Sequence, residues 1–358
     1  MGVNLTPIIV KTVLRLDDLR GRSFAVDANN YLYQFLSLIR MPDGTPLQDS
    51  HGNITSHLTG LMFRSTRLMH DYDMRLIFVF DGLPPKLKHN EIVKRRKMRE
   101  KATIEWQDAL KKGDYATAFS KAVMTSRLTQ PLVEDAKHLL SLLGIPFVQA
   151  PSEAEAQTAD MAMKGDVWAA SSKDYDSLLF GAPRLLRYLT ISGREFLPSK
   201  GISRPLKPEL IELDKFLGGY GINREQLIDA ALLIGTDFNA GVKGIGPKTA
   251  LSLIQKHGTI EHLPDDIKLK LNEQNYQAAR SFFQQPEVTS DYDLKYTEMD
   301  EHGLHKFLCE QRDFSPSRVE TVIQRMKAFY TRKRQADLRE WFKTSQPKNL
   351  IFGGSTGN

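Results

Sequence analysis

From Ser23 to Ser172, short apolar runs alternate with longer stretches whose apolar residues recur every three to four positions. SFAVDA (23–28) reads as a strand with Asp27 at its end, and RLIFVFDG as a second, halted by Gly82 and leaving Asp81 at its end. IPFVQA and VWAASS read as two more. From about Ser56 to His70, residues Leu58, Leu61, Met62 and Leu68 fall on helical spacing. Pro131 opens a helix that stops at Gly144, and PSEAEAQTADMAMKG forms another, closed by Gly165. Strands that are apolar almost throughout, joined by helices, predict an α/β fold: a twisted, mainly parallel sheet flanked by helices on both faces.

Two regions depart from this rhythm. Between about Leu83 and Gln130 the apolar residues are too sparse for a core stripe, which predicts an inserted, exposed pair of helices. The second half reads as mostly helical, with INREQLIDAALLIG followed by TDFNAGVKGIGPKTALSLIQKHG. The polar stretch from Lys343 onward is expected to be disordered.

Composition narrows the class. A chain of 358 residues that is 41% hydrophobic and 26% charged can bury a sizeable core. A net charge of +6 favours a polyanionic partner. One cysteine, Cys309, excludes an intrachain disulfide and points to a reducing, intracellular home. No apolar run reaches the ~20 residues of a bilayer span. The M-G-x-x-x-[ST] pattern at MGVNLT therefore has no membrane role to support it.

Ligands of a parallel α/β sheet bind beyond the carboxyl ends of its strands. Asp27, Asp81, Asp174 and Asp176 fall there, Glu153 and Glu155 begin the helix after IPFVQA, and Asp237 follows a helix in the second half. Each has a plain alternative: Ser152 to Glu155 spells a capping box, Asp174 and Asp176 suit a turn, and Asp81 precedes a glycine. Together, so many acids on one rim would repel one another unless a hard divalent cation lay among them. Magnesium fits oxygen donors, and two such ions can clamp the oxygens of a phosphoryl displacement.

The insertion carries Lys86, Lys88, Lys94, Arg95, Arg96, Lys97, Arg99 and Lys101 against only Glu91 and Glu100. Lys88 and Arg95 lie two helical turns apart, so they share a face that Arg99 extends; it suits phosphate oxygens, or else is a solvated charged helix. In GVKGIGPKTALSLI, Gly244 and Gly246 permit a tight turn and Pro247 suits a first helical position. The amides of that helix, with Lys248 and Thr249 beside them, suit a phosphate and read no base sequence.

AVDANNYLYQFL, GTPLQDSHGNITSHL, VFDGLPPKLK, QAPSEAEAQ, SSKDYDSLLFG and GTDFNAGVKGIGPKTAL together resemble the flap endonucleases of the XPG-like structure-specific nuclease family, archaeal type, over roughly Met1 to Phe342. The resemblance implies a PIN-like sheet with a helical arch at 83–130 and a helix-hairpin-helix-type duplex-binding element at 220–260, within a nuclease core of 1–330. It implies a 5′ flap endonuclease and 5′–3′ exonuclease, working by two-metal-ion catalysis at single-strand/duplex junctions in lagging-strand maturation and repair. The seven acids match the family's ligands for two Mg²⁺ ions, with Mn²⁺ as a substitute, and Lys88 and Arg95 match its catalytic cations. Tyr33 matches an aromatic that stacks beside the scissile phosphate, and Gly2 an N-terminal glycine near the DNA. The glycine turn matches a duplex-binding element that also holds K⁺, while Thr55 and Arg318 resemble parts of a pocket for a 3′ flap. In the tail, 331–358, residues Gln335, Leu338, Trp341 and Phe342 resemble a sliding-clamp-binding box; a last helix packed on the core is the plain alternative. The expected protein is a monomer that acts on branched DNA inside an archaeon-like cell, with the chromosome and no membrane.

Overall fold

The computed structural model describes the backbone of residues 2–190, 193–197, 202–272 and 276–344, and the side chains of these except 193–205, 272 and 336–344. The tail beyond Thr344, expected to be disordered, lies outside the described residues, as do the side chains of Leu338, Trp341 and Phe342.

The strands are β1 (Thr12–Val13), β2 (Ser23–Asp27), β3 (Arg75–Phe80), β4 (Phe147–Gln149), β5 (Ala169–Ser171), β6 (Arg184–Arg187), β7 (Gly193–Leu197), β8 (Ile202–Leu206) and β9 (Glu209–Glu212). Seven of them form one sheet in the order β1-β9-β6-β5-β2-β3-β4, and β7 and β8 form a separate antiparallel hairpin. β6, β5, β2, β3 and β4 run parallel, while β9 and β1 add an antiparallel edge. The four strands read from the sequence are all present. β1 and the strands β6 to β9, between Arg184 and Glu212, are not among them; from Leu213 onward the described elements are helices, as expected of the second half. RLLR and ELIE are four residues long with charged ends, too short for their period to show.

Residues alternate between two cores along the central strands. Phe24 and Val26 of β2, with Leu76, Phe78 and Phe80 of β3, pack with the helices Thr66–Tyr72, Gln130–Leu143 and Pro316–Thr344. Ala25, Ile77 and Val79 turn to the other face, against Met161 and Ala162 of the helix Ala154–Lys164. With both faces covered, the open direction for a ligand is along the strands. β2, β3 and β5 are parallel, so their carboxyl ends, bearing Asp27, Asp81 and the Ser172–Asp176 turn, share one edge.

The helix expected at 56–70 runs from Ser56 to Tyr72 with a π turn over Leu61–Ser65. The insertion forms helices His89–Lys111 and Tyr115–Met124, which lie against each other and bury alanines only: Ala102, Ala109, Ala118 and Ala122. Arg224–Ile234 and Pro247–His257 pack as a pair around the loop that holds the glycine turn. The last helix continues unbroken across residue 330.

Candidate active site

Asp27 ends β2 and caps the helix Ala28–Leu38, its carboxylate accepting the amide of Asn30 at 3.0 Å. Asp81 follows β3 and accepts the amide of Ala154 at 2.8 Å. That contact needs Gly82, because a Cβ there would strike the backbone carbonyls of Ala150 and Pro151. Gly82 is therefore a crossing point that draws the Asp81 loop against the Glu153 loop, not a simple turn former.

The capping box at Ser152 does not form: the helix begins at Ala154 with Glu153 at its cap position. This frees Glu155, which points at the sheet edge and accepts the Ser172 hydroxyl at 3.0 Å. The same hydroxyl lies 3.1 Å from Asp27, so Ser172 bridges two acids. Asp174 accepts from the Asn30 side chain at 3.0 Å, and Asp176 from the amide of Val3 at 2.8 Å. Gly2 abuts Asp176 so closely that a Cβ would overlap the carboxylate. Within the protein, the backbone at Gly2 thus comes close to an acid of the cluster.

All seven acids meet at this edge, and burial and charge shift five of them. Burial, then the neighbouring Asp81, pushes Asp27 well above the carboxylate range; burial, then Asp176 and Asp174, does the same to Glu155. Burial with Asp237 and Asp174 pushes Asp176 up to about 7. Glu153 is raised by burial and by Asp81, against the pull of Lys88. Asp237 moves the other way: burial opposes its ionisation, but surrounding cations, Arg95 and Lys88 among them, hold it low.

Two cations from the insertion reach in. Lys88 Nζ lies 2.5 Å from Glu153 and 3.9 Å from Asp237, and Arg95 Nη2 lies 2.5 Å from Asp237. Burial works against the charge on Lys88, but Glu153, Asp81 and Asp237 outweigh it and raise its pKa. Lys88 stands just before the helix His89–Lys111, at the end of a 3₁₀ turn, and still shares a face with Arg95. Arg99 makes no ion pair with the acids among the described residues. Glu91 holds the Arg95 guanidinium from one turn earlier at 3.0 Å.

Seven carboxylates against two cations leave a negative excess. The donors are all oxygen, which suits a hard divalent ion. Among the described residues no three acids already close into a cage for one ion.

Asp237 opens the loop between the paired helices, and Gly244 and Gly246 end it. The loop folds back at Gly241, and Gly244 has φ +90°; at Gly244 and Gly246 a Cβ would meet open space. Lys248 and Thr249 are exposed beside them. Tyr33 is 39% exposed on the helix that Asp27 caps. Of the expected 3′-flap residues, Thr55 is buried at the start of the helix Ser56–Gly60, and Arg318 sits over the Phe63 ring at 5.9 Å. An open cleft of about 350 Å³ is lined by Ile54, next to Thr55, with Arg40, Trp106, Arg127, Asp135 and Arg312, and by neither Thr55 nor Arg318. Gln335 is exposed near the end of the last helix.

Ser172, Asn30, the Val3 amide and Glu91 escaped the sequence reading. Asn30 and Ser172 stand within AVDANN and SSKDYD, so proximity to an acid was their only signal.

The chain matches the XPG N-terminal domain over residues 1–102 and the XPG I-region over residues 144–237. These regions carry all seven acids, Lys88 and Arg95, and most of the helical insertion lies between them. Flap endonuclease 1 of Pyrococcus abyssi is 47% identical over 351 residues, covering 97% of this chain and 100% of its own. That of Thermococcus onnurineus is 47% identical over 345 residues, covering 96% and 99%. The solved flap endonuclease-1 of Methanococcus jannaschii superposes with a TM-score of 0.73 at 40% identity, covering 93% of this chain and 100% of that one. Full-length similarity at this level, on a fold that gathers these acids beneath a basic helix, means that the chain belongs to the flap endonuclease 1 family.

Proposed function

We propose that this protein is a structure-specific 5′ flap endonuclease with 5′–3′ exonuclease activity, acting on branched DNA in replication and repair. The observation that carries this reading is the convergence of seven acids at one sheet edge under the Lys88–Arg95 face. The family is one of metal-dependent nucleases, and the all-oxygen donors favour Mg²⁺, with Mn²⁺ as a substitute. Asp27, Asp81, Glu153, Glu155, Asp174, Asp176 and Asp237 would hold two ions. Bound there, divalent ions supply an acidified water and positive charge for the attacking and leaving oxygens. The protein's own groups do the rest. Lys88 and Arg95 hold the scissile phosphate, Tyr33 stacks on a flanking base, and the Gly244–Thr249 turn grips the duplex by its backbone, with K⁺ at that turn. Thr55 and Arg318 help receive a 3′ flap.

Cleavage of flap, bubble and four-way DNA in Mg²⁺ tests the substrate class. The flap is expected to be cut fastest, and faster cutting of a bubble or four-way junction would reassign it.

The metal reading also predicts a pH signature. A carboxyl whose pKa is higher folded than unfolded costs stability as pH rises between the two values. For Asp176 that window runs from about 4 to about 7. The metal-free protein should therefore lose thermal stability across it, and Mg²⁺ should restore more at about pH 8 than at about pH 6. A thermal shift independent of pH would count against ions among these acids.

Gln335, Leu338, Trp341 and Phe342 form our candidate for sliding-clamp binding, through apolar anchors on a helical turn. Alanine at Gln335, Trp341 and Phe342 should abolish binding to the clamp and spare clamp-free cleavage. Undiminished clamp affinity would return these residues to the core-packing alternative.

A further inference from the structure

Arg187, the last residue of β6, is 7% exposed, and among the described residues its hydrogen bonds and ion pair go to none of the seven acids. Its Nε donates to the Lys173 carbonyl at 2.8 Å, and Nη1 donates to the Tyr175 hydroxyl at 2.5 Å and to Glu209 at 3.0 Å. Nη2 donates to the Tyr188 hydroxyl at 2.8 Å. The guanidinium lies over two rings, 4.0 Å from the centroid of Tyr175 and 4.6 Å from that of Tyr188.

A buried cation is expensive unless its donors are satisfied, and here each arm of the fork has an acceptor. The partners matter more than the count. Lys173 precedes Asp174, and Tyr175 separates Asp174 from Asp176, so one rigid plane holds the turn on both sides of its first acid. Tyr188 adopts φ +62°, a backbone conformation that bulky residues rarely take, with its ring stacked on Arg187. The Tyr175 hydroxyl also reaches Thr6 at 3.2 Å, and Glu209 pairs with Lys11. The N-terminal segment that caps Asp176 is thus joined to the same assembly.

We propose that Arg187 is a positioning residue that sets Asp174 and Asp176 in the spacing a divalent ion requires; this rests on the metal reading of those two acids. A lysine would keep the charge but lose the fork and the stacking plane. Groups that orient metal ligands from behind typically change metal affinity by ~10–100-fold when replaced.

The test is calorimetric Mn²⁺ titration of the DNA-free protein, beside single-turnover flap cleavage at rising Mn²⁺. Arg187→Lys is expected to weaken Mn²⁺ binding by ~10–100-fold. Its cleavage curve should move to higher Mn²⁺ by the same factor, with most of the rate recovered at saturation. Tyr175→Phe removes only the hydroxyl between Arg187 and Thr6, and should shift both readouts less, in the same direction. Parent Mn²⁺ affinity in Arg187→Lys, or a lost rate that Mn²⁺ does not restore, overturns the proposal. If Arg187→Lys does not fold, Tyr175→Phe decides alone by the same criteria. Asp174→Asn separates the two levels. If it binds Mn²⁺ like the parent, the metal reading itself fails; if it loses binding while Arg187→Lys does not, only the role of Arg187 fails.

Discussion

Asp176→Ala is expected to cut flap DNA at least ~10³-fold more slowly than the parent and to bind it equally well. The size follows from what a bound ion contributes to a phosphoryl transition state, several kcal/mol at tenfold in rate per ~1.4 kcal/mol. The side chain is buried, feels the charges of Asp237 and Asp174, and is held by the Val3 amide. Its carboxyl is pushed up to about 7, so at neutral pH its charge is a burden on the metal-free fold. Removing it relieves that burden, and the variant should keep its metal-free Tm. Lost cleavage with intact Tm and intact binding in calcium marks a missing ligand, not a damaged fold. Asp174→Ala should behave alike. Cleavage near the parent rate in Mg²⁺ by either variant would remove that acid from the site.

The second large effect belongs to the cations. Lys88→Ala and Arg95→Ala should each slow single-turnover hydrolysis by ~10²–10³-fold, the usual loss when one preorganised charge at a transition state is deleted. The sign of the metal effect distinguishes them from the acids. Lys88 neutralises Glu153 and part of Asp237, so its removal leaves the cluster more negative and metal affinity equal or higher. Asp176→Ala changes affinity the opposite way. Arg95→Lys should rescue little, because the guanidinium spans Glu91 and Asp237 from two of its nitrogens. Unchanged single-turnover rates would place both residues outside the chemistry.

The acids were legible because of where the apolar runs stop. Phe24 to Val26 and Leu76 to Phe80 are apolar without interruption, and a strand buried on both faces can carry a charge only at its end. What holds the acids was less visible. The S-x-x-E pattern at Ser152 suggested that Glu155 serves its own helix, yet the chain crossing at Gly82 delays the helix start and releases that side chain. Ser172 and Asn30 act through neighbours 17 to 145 positions away, which no local pattern encodes. Arg187 was invisible for the same reason: two of its acceptors, on Lys173 and Glu209, come from separate elements. β6 and β9 were missed because they show too few residues for alternation to register.

The loop from Gly235 to Gly246 carries an acid of the cluster at one end and the open glycine turn at the other, clasped by Val242 to Leu233 and Thr236 to Asn239. If the glycine turn seats the duplex as proposed, such a short, internally bonded connector would act as a ruler. It would count the incision from where the double helix is seated, whatever the length of the loose strand. Extra residues between Asn239 and Lys243 would slacken that gauge, and a sequencing gel would show a ladder of products where a single band had been.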